Sequence, residues 1–149
     1  MENDIFFQEA INEAEIGFSE NGIPIGSVLV LDNKIIGKGH NKRIQKGSPT
    51  LHAEIDCLEN AGRLTPEQYE RCTLYTTLSP CCMCSGAILL YKIPKVIIGE
   101  NITFFGEIDY LRSKGVNVII LNNKTCINLM KEFIAKNKIV WNEDIGEKK

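Results

Sequence analysis

The feature that most constrains this chain is one histidine and two cysteines at the spacing of metal ligands. The run Pro80-Cys81-Cys82-Met83-Cys84 places two thiols three positions apart, and His52 stands upstream of them. Zinc prefers nitrogen and sulfur ligands, and a catalytic zinc site has three protein ligands and keeps its fourth position open. We therefore predict that His52, Cys81 and Cys84 bind a single Zn²⁺ ion.

The residues around these ligands predict two helix N-termini. Pro80 suits the first turn of a helix, and Cys81 and Cys84, spaced i and i+3, share one helix face. The positive end of the helix dipole favours the thiolate form that binds metal. His52 and Glu54 are spaced i and i+2 and would face different ways within a helix. We expect them at a helix N-terminus as well.

His-x-Glu followed by Pro-Cys-x-x-Cys is the signature of the zinc nucleobase deaminases, in which the glutamate shuttles protons and does not bind the metal. The chain matches this signature in order and in residue type, so Glu54 is the predicted catalytic residue. A Cys-x-x-Cys alone would also suit a redox motif or a structural zinc-binding module. The structural module stays an alternative, although it would need no Glu54.

Length and composition indicate a cytoplasmic chain that is a single zinc-dependent deaminase domain over residues 1–149. The hydrophobic fraction of 44% and charged fraction of 24% are ordinary for a globular protein. The start, Met1 to Asp4, lacks the basic and apolar segments of a signal peptide, and a nuclear location is also compatible with the sequence. The six cysteines are expected to stay reduced. Cys82 is expected to point away from the metal and to serve in helix packing.

The order of predicted elements favours an α/β fold. Strands over 26–31 and up to residue 36 form a hairpin, and helices alternate with strands from residue 52 to residue 136. Residues 41–49 are predicted to be a loop. Such alternation indicates a three-layer α/β/α sandwich with a mixed five-stranded sheet, in which functional sites gather at strand ends.

The charge balance favours a small substrate. The formal net charge is −2, and the lysines and arginines form no basic cluster. Nucleic-acid binding depends largely on such clusters. We therefore expect neither a nucleic-acid nor a membrane partner.

Three longer runs go beyond the metal signature: 74–81, 99–101 and 141–147. With them the chain resembles the fungal cytosine deaminases over nearly its whole length. This resemblance implies a cytidine deaminase-like homodimer that hydrolyses cytosine to uracil and ammonia in pyrimidine salvage and also accepts 5-fluorocytosine. Ala53 stands where those enzymes carry glycine, and it matches the His-Ala-Glu of tRNA adenosine deaminases and guanine deaminases, which remain alternatives.

The resemblance also implies roles for individual residues. It gives His52, Cys81 and Cys84 as zinc ligands and Glu54 as the proton shuttle. The polar contacts to the base come from the Asn41 side chain, the Ala53 amide, the Ser79 carbonyl and the Asp144 carboxylate. The apolar walls of the pocket are Ile25, Leu78, Phe104 and Trp141.

The segment from Trp141 onward follows the last predicted helix. We expect it to fold over the pocket as a lid, with Trp141 and Phe104 against the base. A closed lid would exclude the ribose of a nucleoside. The sequence therefore predicts a preference for the free base.

Overall fold

The computed structural model describes residues 4–148. Residues 1–3 and 149 lie outside the described residues, and with them most of the N-terminal run from which a cytoplasmic location was predicted. Within residues 4–148, no helix is both long enough and apolar enough to cross a bilayer.

The architecture is built on one five-stranded sheet. Its strands are β1 (Gly26–Leu31), β2 (Lys34–His40), β3 (Cys72–Thr76), β4 (Lys95–Ile98) and β5 (Asn117–Ile120). They lie in the order β2-β1-β3-β4-β5. β1 is antiparallel to both β2 and β3, whereas β3, β4 and β5 run parallel. The predicted mixed sheet is confirmed.

Eight helices accompany the sheet within the described residues. They are α1 (Ile5–Ser19), α2 (Arg43–Lys46), α3 (Ala53–Ala61), α4 (Pro66–Tyr69), α5 (Cys82–Leu90), α6 (Ile108–Ser113), α7 (Lys124–Lys136) and α8 (Lys138–Asp144). Polar residues begin several of them. Asp4 Oδ1 accepts a hydrogen bond from the Phe6 amide at 2.8 Å, and Asn123 Oδ1 accepts one from Cys126 at 3.0 Å. Each satisfies an amide that the helix itself leaves unpaired.

Alternate residues of the strands face two separate apolar clusters. Leu29, Leu74 and Val96 pack on one face with residues of α3, α5 and α6. Val28 and Ile97, one position away from two of them, pack on the other face with residues of α1 and α7. Side chains of a strand alternate between faces, so both faces of the sheet are covered by helices. The predicted three-layer sandwich is confirmed.

Three local predictions need correction. β2 extends to His40 and does not end at Ile36. Residues 41–49 include the short helix α2 within the segment that was predicted to be a loop. The helix that ends near Lys136 is not the last one, because a further helix, α8, begins directly after Asn137. Both added elements are short, and in such short segments tertiary contacts outweigh the sequence pattern.

A buried histidine joins β2 to the first helix. The His40 ring is hydrogen-bonded through Nδ1 to Glu13 at 2.8 Å and through Nε2 to Glu20 at 2.9 Å. The bond to Glu13 is the main reason that the pKa of His40 is raised above its usual value, against the opposing effect of burial. The folded protein therefore stabilises the protonated ring.

This arrangement predicts a pH-dependent contribution to stability. A raised native pKa means that the contribution is fully present below the unfolded value of about 6.5 and is lost as pH rises through the native pKa. His40→Gln should therefore reduce the fall in melting temperature between roughly pH 6 and pH 9. Thermal unfolding of the two proteins across that range measures the difference, and parallel curves would contradict the assignment.

Candidate active site

Two helix N-termini meet at the predicted ligands. His52 is the N-cap residue of α3 and Cys81 is the N-cap residue of α5, and neither side chain makes a capping hydrogen bond. Their side chains are therefore free to face each other. Pro80 lies before the cap and not in the first turn, which corrects the predicted position by one or two residues. The prediction that the ligands lie at helix starts is confirmed.

The distances between the ligand atoms fit a zinc ion. His52 Nδ1 lies 3.4 Å from Cys81 Sγ and 3.8 Å from Cys84 Sγ. Zn–S bonds of about 2.3 Å and Zn–N bonds of about 2.0 Å at tetrahedral angles place nitrogen and sulfur roughly 3.6 Å apart. His52 and Cys84 are buried and Cys81 is partly so. The three residues therefore have the donor types, spacing and burial of a zinc site.

The surroundings of these side chains also favour metal binding. Hydrogen bonds from Cys84 and His52 lower the pKa of Cys81 to about 4 despite its partial burial. The thiolate is the form of cysteine that binds metal. Burial and the nearby Cys81 charge raise the pKa of Glu54 to about 7. A carboxyl group with such a pKa is suited to exchanging protons near neutral pH.

The ligands open onto a small cavity. Its volume is about 10 Å³, which is about what a single water requires. Its lining combines the metal site with the predicted apolar walls and polar contacts: Ile25, His52, Glu54, Leu78, Ser79, Cys81, Phe104, Trp141, Asp144 and Ile145. The rings of Phe104 and Trp141 meet edge to face, with centroids 5.8 Å apart. The structure thus brings together most of the residues predicted for the site.

Three predicted residues do not line the cavity: Asn41, Ala53 and Cys84. Asn41 is fully buried and reaches the site through Asp144, since its Nδ2 donates to Asp144 Oδ1 at 2.9 Å. Its own Oδ1 accepts from the Arg43 amide at 3.0 Å. Ala53, also fully buried, begins α3.

Asp144 connects the last helix to the metal site. Its Oδ1 lies 3.5 Å from His52 Nε2, the ring nitrogen that faces away from the two cysteines. Metal-binding histidines commonly give their second nitrogen to a carboxylate, which fixes the ring orientation. Burial raises the pKa of Asp144, while the His52 charge and the bond from Asn41 oppose this change. Within residues 4–148, the polar contacts of this carboxylate all use Oδ1.

Two residues of the site were not predicted from sequence. Ile145 lines the cavity just beyond α8. Glu100 is fully buried, and its carboxylate accepts hydrogen bonds from the amides of Ile102 at 2.7 Å and Thr103 at 2.9 Å. It thereby shapes the loop that carries Phe104. The signal available in the sequence for Glu100 was a charged residue close behind the apolar strand β4.

The same loop approaches the strand end that precedes the cysteines. Ser79 Oγ donates to the Phe105 carbonyl at 2.6 Å, and the Ser79 amide donates to the Glu100 carbonyl at 3.0 Å. Gly106 has a φ of +69°, and a Cβ there would lie within 2.2 Å of Ser79 Oγ. Only glycine permits this conformation and this close approach.

Cys82 takes no part in the site. It was predicted to point away from the metal and to serve in helix packing, but it is exposed. As the first residue of α5 it points outward, because the short helix buries the face that carries Cys84, Ser85 and Ile88.

Comparison with known proteins identifies the family. A family model described as the cytidine and deoxycytidylate deaminase zinc-binding region matches residues 1–100. The chain belongs to this deaminase family. The matched region contains His52, Cys81 and Cys84, so the three residues that the structure brings together are the candidate zinc ligands of this region.

Individual deaminases extend this result. The chain is 52% identical over 141 residues to a cytosine deaminase of Candida albicans, covering 94% of each protein. It is 42% identical over 111 residues to a tRNA-specific adenosine deaminase of Streptococcus pyogenes, covering 74% of this chain and 65% of that enzyme. A solved structure from work on A-to-I editing by tRNA:A34 deaminases aligns with a TM-score of 0.66 and 26% identity, over 81% of this chain and all of the other.

The deaminase site predicts different results for two neighbouring cysteines. Cys84→Ser removes a zinc ligand, so zinc affinity should fall more than about 100-fold, beyond the loss typical of a residue that only contacts a ligand. Cys82→Ser, the matched control, should keep one zinc per chain because Cys82 is exposed. Metal analysis by inductively coupled plasma mass spectrometry, with thermal unfolding of both variants, measures this. Equal zinc content in the two variants would contradict the assignment of Cys84 as a zinc ligand.

Proposed function

We propose that this protein hydrolyses cytosine to uracil and ammonia. The observation that carries the proposal is a single cavity lined both by the His52, Glu54 and Cys81 group and by the Asp144 carboxylate of the last helix. The first set suits the activation of water, and the second suits a hydrogen bond to an exocyclic amine. The cytosine deaminase of Candida albicans, which matches 94% of the chain, supports the same substrate.

The reaction needs water to attack C4 of the base and the amine to leave. Zinc, when bound, supplies the Lewis acidity that makes hydroxide available near neutral pH. Glu54 accepts the proton that the attacking water loses and delivers it to the ring nitrogen N3. It then takes the proton of the new C4 hydroxyl and carries it to the amine, so that the C4–N bond breaks, ammonia leaves and the C4 carbonyl of uracil forms. A buried carboxyl group whose pKa is raised to about 7 suits both transfers.

Recognition of the base is proposed to use two residues of the lining, Asp144 and Ser79, and two buried residues outside it, Ala53 and Asn41. Asp144 Oδ2 and the Ser79 carbonyl accept hydrogen bonds from the exocyclic amine, and the Ala53 amide faces the ring from the start of α3. Asn41 reads the edge that carries O2 and N1. Its Oδ1 already accepts one hydrogen bond, from Arg43, and a carbonyl oxygen can accept a second.

The walls are apolar, as expected for a planar base. Ile25, Leu78 and Trp141 belong to one buried cluster, against which Phe104 packs. The cavity is small, about 10 Å³, and entry of a planar base is proposed to displace part of its lining. We propose that α8 and Phe104 provide this movement, with α8 acting as the lid.

The cellular context belongs to the same proposal. Cytosine deamination places the protein in pyrimidine salvage, with 5-fluorocytosine as a further substrate and the cytoplasm as the location. We propose a homodimer in which a second copy covers α5. Residues 82–91 contain no charged side chain, and Leu90 and Tyr91 are 68% and 41% exposed beside a groove of about 620 Å³. Sedimentation equilibrium that finds only monomers would contradict this.

A tRNA adenosine deaminase is the second candidate, because relatives at 42% identity carry that name. The chain has a net charge of −2, and Glu143, Asp144 and Glu147 lie at the helix that closes the cavity. Phosphate backbones require basic surfaces, and α8, with Lys138 against Glu143 and Asp144, does not provide one. The free base is therefore the better-supported substrate. A structural zinc module, the third alternative, has no use for a buried Glu54 that lines a cavity.

The experiment that tests the proposal offers the zinc-loaded protein a panel of substrates. Cytosine, 5-fluorocytosine, cytidine, guanine, adenine and a tRNA anticodon stem-loop are incubated separately, and ammonia release is followed. The proposal expects turnover of the two free pyrimidines. Turnover confined to the tRNA or to guanine would assign the corresponding alternative instead.

Replacing the proton shuttle should separate metal binding from catalysis. Glu54→Gln keeps the size of the side chain but cannot accept a proton, so kcat on cytosine should fall by roughly 10²-fold to 10⁴-fold or more. Zinc content should be unchanged. His52→Ala is the comparison variant and should lose both zinc and turnover. A zinc-replete Glu54→Gln protein with near-normal activity would exclude this role.

Removing the lid should abolish turnover without removing zinc. A chain that ends at Val140 lacks Trp141 and Asp144, and Trp141→Ala tests the wall alone should the shorter chain be unstable.

Intact protein should disfavour cytidine by roughly one to two powers of ten in affinity, because ribose removes the N1–H that Asn41 would bind. Steady-state kinetics and zinc analysis measure both results. Unchanged kinetics in a zinc-replete lid variant, or equal use of cytidine by the intact enzyme, would refute the lid.

A further inference from the structure

Asp56 is a buried ionisable residue that the mechanism above does not use. It is 5% exposed and lies one turn into α3, where its amide donates to the His52 carbonyl at 2.9 Å. Its Oδ2 accepts two hydrogen bonds from outside the helix. One comes from the His40 amide at 3.1 Å and the other from Lys42 Nζ at 2.8 Å.

The two donors are the residues on either side of Asn41. The carboxylate therefore holds the chain immediately before and immediately after the residue proposed to read the base. The Lys42 amide adds a third connection, since it donates to the Leu51 carbonyl at 2.9 Å, next to the ligand His52. The segment around Asn41 is thus attached to the start of α3 at several points.

A close approach of backbones makes this attachment tight. A Cβ on Gly39 would lie 2.4 Å from the Cys57 amide nitrogen and 2.8 Å from Asp56 Oδ2. No larger residue fits between the strand and the helix at this position. The end of β2 therefore rests directly on α3, and Asp56 fixes its position along the helix.

The contacts form a closed circuit around the cavity. From Asp56 the circuit passes through Asn41 to Asp144 at 2.9 Å, and from Asp144 to His52 Nε2 at 3.5 Å. From His52 the circuit returns to Asp56 along the start of α3, which also carries Glu54. A shift of Asn41 would therefore move Asp144, and with it the proposed contact to the exocyclic amine.

We propose that Asp56, paired with Lys42, is a positioning residue that sets where Asn41 and Asp144 meet the base relative to Glu54 and the metal ligands. This inference rests on the proposed function. Asp56 touches neither the metal ligands' donor atoms nor the cavity, so its main effect is on base binding, and it takes no direct part in zinc binding or proton transfer. Buried ion pairs contribute little net stability in general, which gives a positioning role further weight.

The test compares three variants of the zinc-loaded protein. Asp56→Ala removes both hydrogen bonds, Asp56→Asn keeps an oxygen for the His40 amide, and Lys42→Met removes the cation alone. For Asp56→Ala, KM for cytosine should rise about tenfold with kcat within about twofold, because losing a contact that holds the base alike in the ground state and the transition state raises KM and leaves kcat unchanged. Asp56→Asn and Lys42→Met should show the same split at about threefold.

A binding measurement separates this inference from the proposed function. Trp141 is the only tryptophan of the chain and lines the cavity, so its fluorescence reports binding of uracil directly. The dissociation constant for uracil should rise in parallel with KM. If wild-type protein deaminates a different base of the panel, cytosine as substrate is wrong, and the three variants are compared on that base and its product.

Asp32→Asn is the matched control. Asp32 also pairs with a cation, Arg71, at 3.0 Å, but the pair is exposed at the turn between β1 and β2. The Asp32→Asn variant should therefore have the KM for cytosine and the uracil affinity of the wild-type protein. Asp56 variants that stay folded with wild-type KM, or that lose kcat together with zinc, would overturn the proposal. If Asp56→Ala fails to fold, Asp56→Asn and Lys42→Met decide the question in the same way.

Discussion

The structure depends on bringing together three metal-binding side chains, one histidine and two cysteines, that come from two distant parts of the chain. His52 is the N-cap residue of α3 and Cys81 is the N-cap residue of α5, and their donor atoms lie 3.4 Å apart. Two helix N-termini directed at one point would repel each other, and negative charge between them removes this penalty. The Cys81 thiolate, whose pKa is lowered to about 4, supplies such negative charge between the two helix ends. The parallel strands then serve to keep the two helices in place.

The parts of the fold with strong local patterns were predictable. The hairpin of β1 and β2 and the alternation of later strands and helices follow from apolar periodicity, and the order of elements then gave the three-layer sandwich. The metal ligands were predictable for a different reason. Their chemistry requires particular residue types at fixed spacing, so the spacing from Cys81 to Cys84 carries information that does not depend on the rest of the chain.

The remainder depended on contacts between residues far apart in sequence. Asn41 and Asp144 meet across 103 positions, and a carboxylate near the end of a chain is ordinarily solvated. The same limit applies to Asp56, whose partners His40 and Lys42 become apparent only when the end of β2 is folded against α3. α8 was overlooked because seven residues carry too little periodicity to indicate a helix, and its packing against Met130 and Phe133 of α7 stabilises it.

The place of Trp141 has a consequence for local stability. This side chain belongs to the apolar cluster under α8 and also forms a wall of the cavity, so one residue serves both the interior and the ligand. Any base that binds only when α8 is docked raises the free energy of opening that helix, by an amount that grows with the logarithm of ligand concentration. Amide protons of α8 would then exchange with solvent more slowly as ligand accumulates. The rate of amide exchange in α8 would therefore report the fraction of the enzyme that has ligand bound.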